Sequence, residues 1–341
     1  MAGPLGSGRR RAVSDPAGRL EAAVRRRFGG AARVENLDRP TVGGSNQTVL
    51  FDLVDGPARR RLVLRAETYT AAHSPFIDPA VQFRLLEVAG RHGVPVPEPL
   101  FLLDPGDGLG RGFVMGHVEG ETVPQRILRE PRFAKVVPRL PGDLGEILAR
   151  LHAIPSAEVA FVEDTPDSRD PLAAQRDRYD AYDEPHPAIE LGLRWLELRR
   201  RPAARRVLVH ADFRNGNFIV NESGVAAVLD WECTHLGDPM EDLAWLCLRS
   251  WRFSRPDRPV GGFGERAELY SAYEAAGGGP ADAEAIRYWT VFGFVRWAVL
   301  SVMQGHGHVL GGRASPVYAA TGRNTTTIEH DLVRALQGEF D

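Results

Sequence analysis

The chain has 341 residues, 43% of them apolar, with 45 acidic side chains against 42 lysines and arginines and a net charge of −3. That is enough apolar material for two lobes and too much for a disordered chain, and the near balance of charge argues against nucleic acid or a membrane surface as partner. No apolar run approaches the ~20 residues a membrane span requires. The only cysteines, Cys233 and Cys247, offer neither a disulfide framework nor zinc-type spacing, which fits a reducing, cytoplasmic setting.

Residues 1–18 carry basic side chains but no apolar core, so they read as a flexible tail and not as a signal peptide. Leu20–Phe28 has helical spacing and stops at Gly29-Gly30. Gln47–Val54 and Arg61–Ala66 read as strands joined by an Asp55-Gly56-Pro57 turn, a hairpin signal that favours an antiparallel sheet. Pro79–His92 is an amphipathic helix with Val81, Leu85, Val88 and Ala89 on one stripe, capped by Gly93, and VPVPEPL after it must be extended. Gly112–Val118 is a further apolar strand.

From Val123 onward the pattern turns helical, over 142–152, 173–182, 186–199, 240–251, 265–276 and 281–303. The alternating strand–helix order of a parallel doubly wound sheet is missing. The expected fold is α+β in two lobes: an N-lobe over 19–118 with an antiparallel sheet plus a helix, and a larger, mainly helical C-lobe over 119–341, with a hinge near Gly112–Thr122.

Between the helices lies VLVHADFRNGNFIVNESGVAAVLDWECTHLGDPMEDL, from Val207 to Leu243. Val207–Val209, Phe218–Val220 and Ala226–Leu229 read as short buried strands, so His210, Asp212, Asn217, Asp230 and Glu232 fall in the turns between them. Carboxylates beside buried strands need a cation or a proton transfer to compensate them. Asn217 and Asp230, thirteen residues apart across a strand–turn–strand, can face one site as hard oxygen ligands for Mg²⁺. Asp212, uncoordinated and nearby, could take a proton from an attacking hydroxyl.

His210-Ala211-Asp212 with Asn217, Asp230-Trp231-Glu232, and Gly237-Asp238-Pro239 with Asp242-Leu243-Ala244 together resemble the aminoglycoside phosphotransferase family, a small-molecule kinase branch of the protein-kinase-like fold. Gly43-Gly44-Ser45-Asn46, Leu62-Val63-Leu64-Arg65, Gly93–Pro97, Phe113–Gly120 and Leu151-His152 fall in family order, so the resemblance covers most of the chain. It implies a nucleoside triphosphate, ATP for preference, as phosphoryl donor, Mg²⁺ as cofactor, and a hydroxyl-bearing small molecule as acceptor. By the same resemblance Asp212 is the catalytic base, Asn217 and Asp230 hold the metal, and His210 and Asp242 support the catalytic loop. The turn Gly43, Gly44, Ser45 and Asn46 would cover phosphates, and Met115 to Val118 would be the hinge whose backbone pairs with adenine.

Two departures stand out. Ala211 occupies a position where the family commonly has glycine. Kinases pair a lysine on the third strand with a glutamate on the following helix, but the sole lysine here is Lys135, Arg65 takes the strand position, and Gln82 the helix position. Arginine can bind phosphate bidentately, so Arg65 is retained as a nucleotide-binding residue. The altered clamp motivates an alternative, a nucleotide- or ligand-binding pseudokinase; a metal-dependent hydrolase using His210, Asp212 and Asp230 would leave Asn217 unexplained.

Other features read more plainly. His306 and His308 do not share a helix face and lack a cysteine partner, which favours structural or pocket roles over a metal. Trp245, Trp251, Trp289 and Trp297 are expected in the core or pocket wall. Arg214, Trp231, Glu232 and His235 are expected to border the acceptor. The acceptor class, whether aminoglycoside, sugar, choline-like alcohol or hydroxyacyl-CoA, is open at this point.

Overall fold

A computed structural model describes residues 16–39, 46–67, 76–310 and 315–340. Gly43, Gly44 and Ser45 lie outside the described residues, and Asn46 is placed only as the first residue of a strand.

Helix α1 (Pro16–Phe28) begins four residues before Leu20, with proline in its first turn, where a missing N–H costs nothing. It is followed by β1 (Arg33–Asp38), β2 (Asn46–Asp55) and β3 (Ala58–Glu67), then α2 (Pro79–Arg91), β4 (Pro99–Leu102) and β5 (Gly112–Gly116). The strands form one antiparallel sheet in the order β1-β2-β3-β5-β4. The β2–β3 hairpin closes as expected, with Asp55 opposite Ala58 and Gly56 at φ 56° making the turn.

Alternation along β3 decides what each face does. Leu62, Leu64 and Ala66 join Leu20 and Val24 of α1 in one apolar cluster, while Val63 belongs to the cluster containing Leu85 and Leu86 of α2. Arg65 shares the Val63 face, because side chains two apart lie on the same side of a strand. A strand period of two therefore delivers the only charged residue of that stretch to the α2 side of the sheet.

The helical lobe comprises α3 (Pro124–Arg129), α4 (Leu140–His152), α5 (Pro166–Arg169), α6 (Pro171–Asp180) and α7 (Pro187–Leu198) before the polar run. After it come α8 (Met240–Leu246), α9 (Arg266–Ala275), α10 (Ala283–Val309), α11 (Pro316–Arg323) and α12 (Thr325–Leu336). The helix expected over 240–251 stops at Leu246, and a single 3₁₀ turn, Arg249–Trp251, follows it. The last long helix runs to Val309, so His306 and His308 are helical; His306 bonds Glu184 at 2.7 Å and His308 accepts the Ser315 N–H at 3.1 Å. Helix α10 is buried along most of its length and packs on α7, α8, α11 and α12. Gly305 and Gly322 let α10 and α11 touch, since a Cβ on Gly322 would meet the Gly305 Cα at 2.6 Å. No described helix is long and apolar enough to cross a membrane.

The polar run forms β6 (Val207–Val209), β7 (Phe218–Asn221), β8 (Gly224–Val228) and β9 (His235–Gly237). β7 and β8 make a hairpin, whereas β6 pairs with β9, a strand the apolar pattern did not announce. Val228 N–H donates to Pro95 O at 2.8 Å, and Glu121 and Val220 exchange backbone bonds at 2.9 and 3.0 Å. Those bonds tie the hairpin to the segments leading into and out of the sheet. The fold is α+β in two lobes, as the residue patterns imply.

Candidate active site

A cleft of about 890 Å³ is lined by both lobes. From the sheet and its exit come Leu50, Val63, Arg65, Met115 and Val118; from the β6–β9 region come Asp212, Arg214, Asn217, Ile219, Leu229, Asp230 and Glu232; from α8, α10 and α11 come Trp245, Arg296, Trp297, Leu300, Gln304 and Val317.

The loop after β6 is built around Asp242. Its buried carboxylate accepts the N–H of His210 at 2.8 Å and of Ala211 at 2.7 Å, and His152 Nε2 lies 3.2 Å away. Burial opposes ionisation of Asp242, but the bond and charge of His152, then His210, outweigh it and hold the carboxyl below its ordinary pKa. Ala211 sits at φ 62°, in the left-handed region, which accounts for glycine at the equivalent family position.

His210 is fully buried, edge-on to Trp231 and Phe213, and does not line the cleft. Its Nε2 lies 2.9 Å from Leu229 O, which can only accept, and its Nδ1 receives the Asp212 N–H at 3.2 Å. The ring is therefore the neutral Nε2–H tautomer, in keeping with a pKa that burial depresses. It braces the turn carrying Asp212 against the turn carrying Asp230.

Asp212 is held by three donors. Arg214 Nε and Trp245 Nε1 bond Oδ1 at 3.0 and 3.1 Å, and Asn217 Nδ2 bonds Oδ2 at 2.6 Å. Asn217 also donates to Asp212 O at 2.9 Å, which commits its amide nitrogen and presents its oxygen as an acceptor. Leu229 N–H bonds Asn217 O at 2.8 Å and so places the next residue, Asp230, beside it. Asp230 itself is left-handed, with φ 64° and ψ 55°. Asp212, Asn217 and Asp230 thus converge on one cleft.

The donor set suits a hard divalent cation only in part. Among the described residues no three His, Cys, Asp or Glu side chains form a metal cage. One carboxylate, Asp230, and one amide oxygen, Asn217, match what Mg²⁺ takes from a protein when phosphate oxygens complete its shell. Those residues fit the ion as a companion of a phosphate ligand, not as a free-standing site.

Arg65 is neither on the surface nor turned to solvent. One terminal nitrogen bonds Asp230 and the other bonds Glu232 Oε2 at 2.9 Å, while Nε is buried without a partner among the described residues. Burial works against its charge, but the two carboxylates overcome this and keep it protonated; in turn Arg65 holds Asp230 below the usual carboxylate pKa despite the burial opposing it. Gln82 is buried too, and its Nε2 donates to Ile77 O at 2.9 Å; no bond joins it to Arg65. Neither Arg65 nor Gln82 is a surface residue.

At the hinge, Gly116 N–H bonds Glu98 O at 2.8 Å and His117 N–H bonds Arg61 O at 3.1 Å. Met115 and Val118 both line the cleft, as do Ile219 and Leu229. Trp245 and Trp297 line the cleft, and Trp251 packs between them with tilted rings, centroids 5.3 and 5.0 Å apart. Trp289 is in the core instead. Arg296 is the residue that spacing did not single out. It is buried, bonds Glu241 at 3.2 Å, and leaves Nε without a partner among the described residues. A lone arginine inside VFGFVRWAVL was the available signal, since a buried guanidinium demands a carboxylate.

A two-lobed α+β fold with an Asp–Asn–Asp cluster in the interlobe cleft is that of a kinase-like phosphotransferase. Residues 37–278 match the phosphotransferase enzyme family, and the chain belongs to it. The fold is shared with a Ralstonia eutropha protein assigned to the aminoglycoside phosphotransferases, at 21% identity, a TM-score of 0.69, and coverage of 94% of this chain and 98% of that one. It is shared too with a thermostable mutant aminoglycoside phosphotransferase solved with AMP-PNP and hygromycin B, at 18% identity, a TM-score of 0.60, and coverage of 92% and 98%. Among curated proteins, mouse acyl-CoA dehydrogenase family member 10 is 30% identical over 221 residues, or 60% of this chain and 20% of that protein. The chain spans only 20% and 39% of the first two curated relatives it matches.

Proposed function

We propose that the protein transfers the γ-phosphoryl group of ATP, in line, to a hydroxyl of a small molecule, with Asp212 as the base. The nucleotide lies between segments 19–118 and 119–341, its base against the Met115–Val118 hinge and its phosphates toward Arg65. The observation that carries the reading is the convergence of Asp212, Asn217 and Asp230 on the cleft, with Asp212 fixed by three donors. Phosphoryl transfer is mainly positioning and charge neutralisation, and this set offers both. Asp212 orients the acceptor hydroxyl and receives its proton; Asn217 and Asp230 hold Mg²⁺, which when bound neutralises phosphate charge.

The cleft wall favours a particular acceptor. Apart from Asp212, Asp230 and Glu232, no described carboxylate lines it, and Arg214, Arg296, Gln304, Trp245 and Trp297 do. A polycation would find no counter-charge beyond the catalytic group. An alcohol with an apolar or anionic body fits, and the name of the mouse relative makes a hydroxyacyl-CoA thioester the first acceptor to try. Coupled ADP release measured over hydroxyacyl-CoA, sugar, choline and aminoglycoside acceptors tests this. Preference for the hydroxyacyl thioester by at least tenfold in kcat/KM is expected; preference for an aminoglycoside would overturn the acceptor class.

A further inference from the structure

We propose that Glu232 is a positioning residue that holds Arg65 for the nucleotide and so leaves Asp230 available to the metal. This rests on the ATP and Mg²⁺ reading above.

The strand alternation that brings Arg65 to the cleft also buries its guanidinium, with the side chain only 14% exposed. A buried guanidinium needs a carboxylate. The helix that would supply one has Gln82 at the facing position, neutral and turned to Ile77 O. Two carboxylates from the turn after β8 answer instead, Asp230 and Glu232. Ile77 links the two solutions, since its carbonyl takes Gln82 and its N–H bonds Glu232 O at 2.8 Å.

The two carboxylates are not equivalent. Asp230 is the residue that, with Asn217, suits Mg²⁺, and it is the more open side chain, 35% exposed against 12% for Glu232. A divalent cation and Arg65 compete for Asp230, because both are satisfied by the same carboxylate. Glu232 lets Arg65 surrender Asp230 without losing its only counter-charge. The nitrogen released from Asp230 is then free to meet a phosphate oxygen. Without Glu232, Arg65 has Asp230 alone and opposes the metal.

The test is nucleotide binding, followed by quenching of tryptophan fluorescence or by calorimetry with ATP, as a function of Mg²⁺ concentration. Glu232→Gln raises the Mg²⁺ midpoint of ATP binding by about tenfold, a loss of about 1.4 kcal/mol. Adding Gln82→Glu to that variant restores a carboxylate beside Arg65, since Gln82 and Arg65 border the same small cavity, and brings the midpoint back to within threefold of wild type. A merely structural role for Glu232 would lower stability and leave the Mg²⁺ midpoint where it was, and that result overturns the proposal. Should Glu232→Gln fail to fold, Gln82→Glu alone serves: a lowered midpoint supports the proposal and an unchanged or raised one overturns it. Wild-type protein showing no Mg²⁺-dependent ATP binding would instead sink the functional reading itself.

Discussion

Asp212 owes its geometry to its neighbours more than to its own backbone. Three donors from Arg214, Asn217 and Trp245 leave it few orientations, and Ala211 accepts a left-handed φ of 62° to aim it. Asp212→Asn keeps the size of the side chain and removes the base, so turnover should fall about 10³-fold while the affinity for ATP, read by calorimetry, changes less than threefold. Equal loss in both would mean that Asp212 organises the site and does not act on the acceptor. Asp212, Asn217 and Asp230 were legible in the sequence because they lie within nineteen positions of one another and flank a short hairpin, where spacing and geometry are nearly the same thing. The Arg65–Glu232 pair was not, since it joins residues 167 positions apart and is decided by how the sheet docks on the hairpin. Gln82 was visible as a departure, but its partner Ile77 O is a backbone group that no side-chain pattern reveals.

At the scale of elements, α8 and α10 do the anchoring. Asp242, in the first turn of α8, receives two backbone N–H groups of the catalytic loop, and its folded-state pKa lies below the ordinary 3.8. A depressed carboxyl stabilises the fold fully above the unfolded pKa and loses that contribution as pH falls through the folded one. Stability should therefore decline below about pH 4, and Asp242→Asn, followed by urea titration between pH 3 and 7, should be less stable at neutral pH with a flatter acid limb. A variant whose acid limb is as steep as wild type would show that other carboxylates set it. Arg296 of α10 and Glu241 of α8 are each 3% exposed and 3.2 Å apart. Arg296→Met should cost about 3 kcal/mol in denaturant titration, near the lower end for a broken buried pair, because His235 Nε2 still lies 3.2 Å from Glu241. A loss under 1 kcal/mol would contradict a paired Arg296. The longer elements were plain from periodicity and their punctuating glycines and prolines. β1 was not, since RVENLD is half-exposed and shows no alternation, and β9 is three residues long and exists only because β6 needs a partner. Helix α10, apolar nearly all round, declares itself buried without telling which side meets the cleft.

For the molecule as a whole, two lobes meet through the Val228–Pro95 and Ile77–Glu232 backbone bonds, the ion pairs of Arg65 and of Arg91 and His92 with Glu158, and an apolar cluster that both share. A ligand that touches both lobes should stabilise the whole fold. At a concentration one hundred times its Kd, Mg-ATP should add about 2.7 kcal/mol by mass action, seen as a rise in Tm that EDTA abolishes. An equal rise with ATP in EDTA would remove the metal from the account. The overall architecture followed from a β-rich first third and a helical remainder, whereas the sign of the cleft wall depended on side chains from α10 that meet the site only after folding. The claim on which everything else depends is transfer chemistry at Asp212. Its most direct measurement is ³¹P NMR of the protein with Mg-ATP and a hydroxyacyl-CoA acceptor, compared with Asp212→Ala. The account predicts ADP and a new phosphomonoester in equal amounts from wild type, and neither at a comparable rate from the variant. ADP appearing with inorganic phosphate alone, or the same phosphomonoester at the same rate from Asp212→Ala, would contradict it.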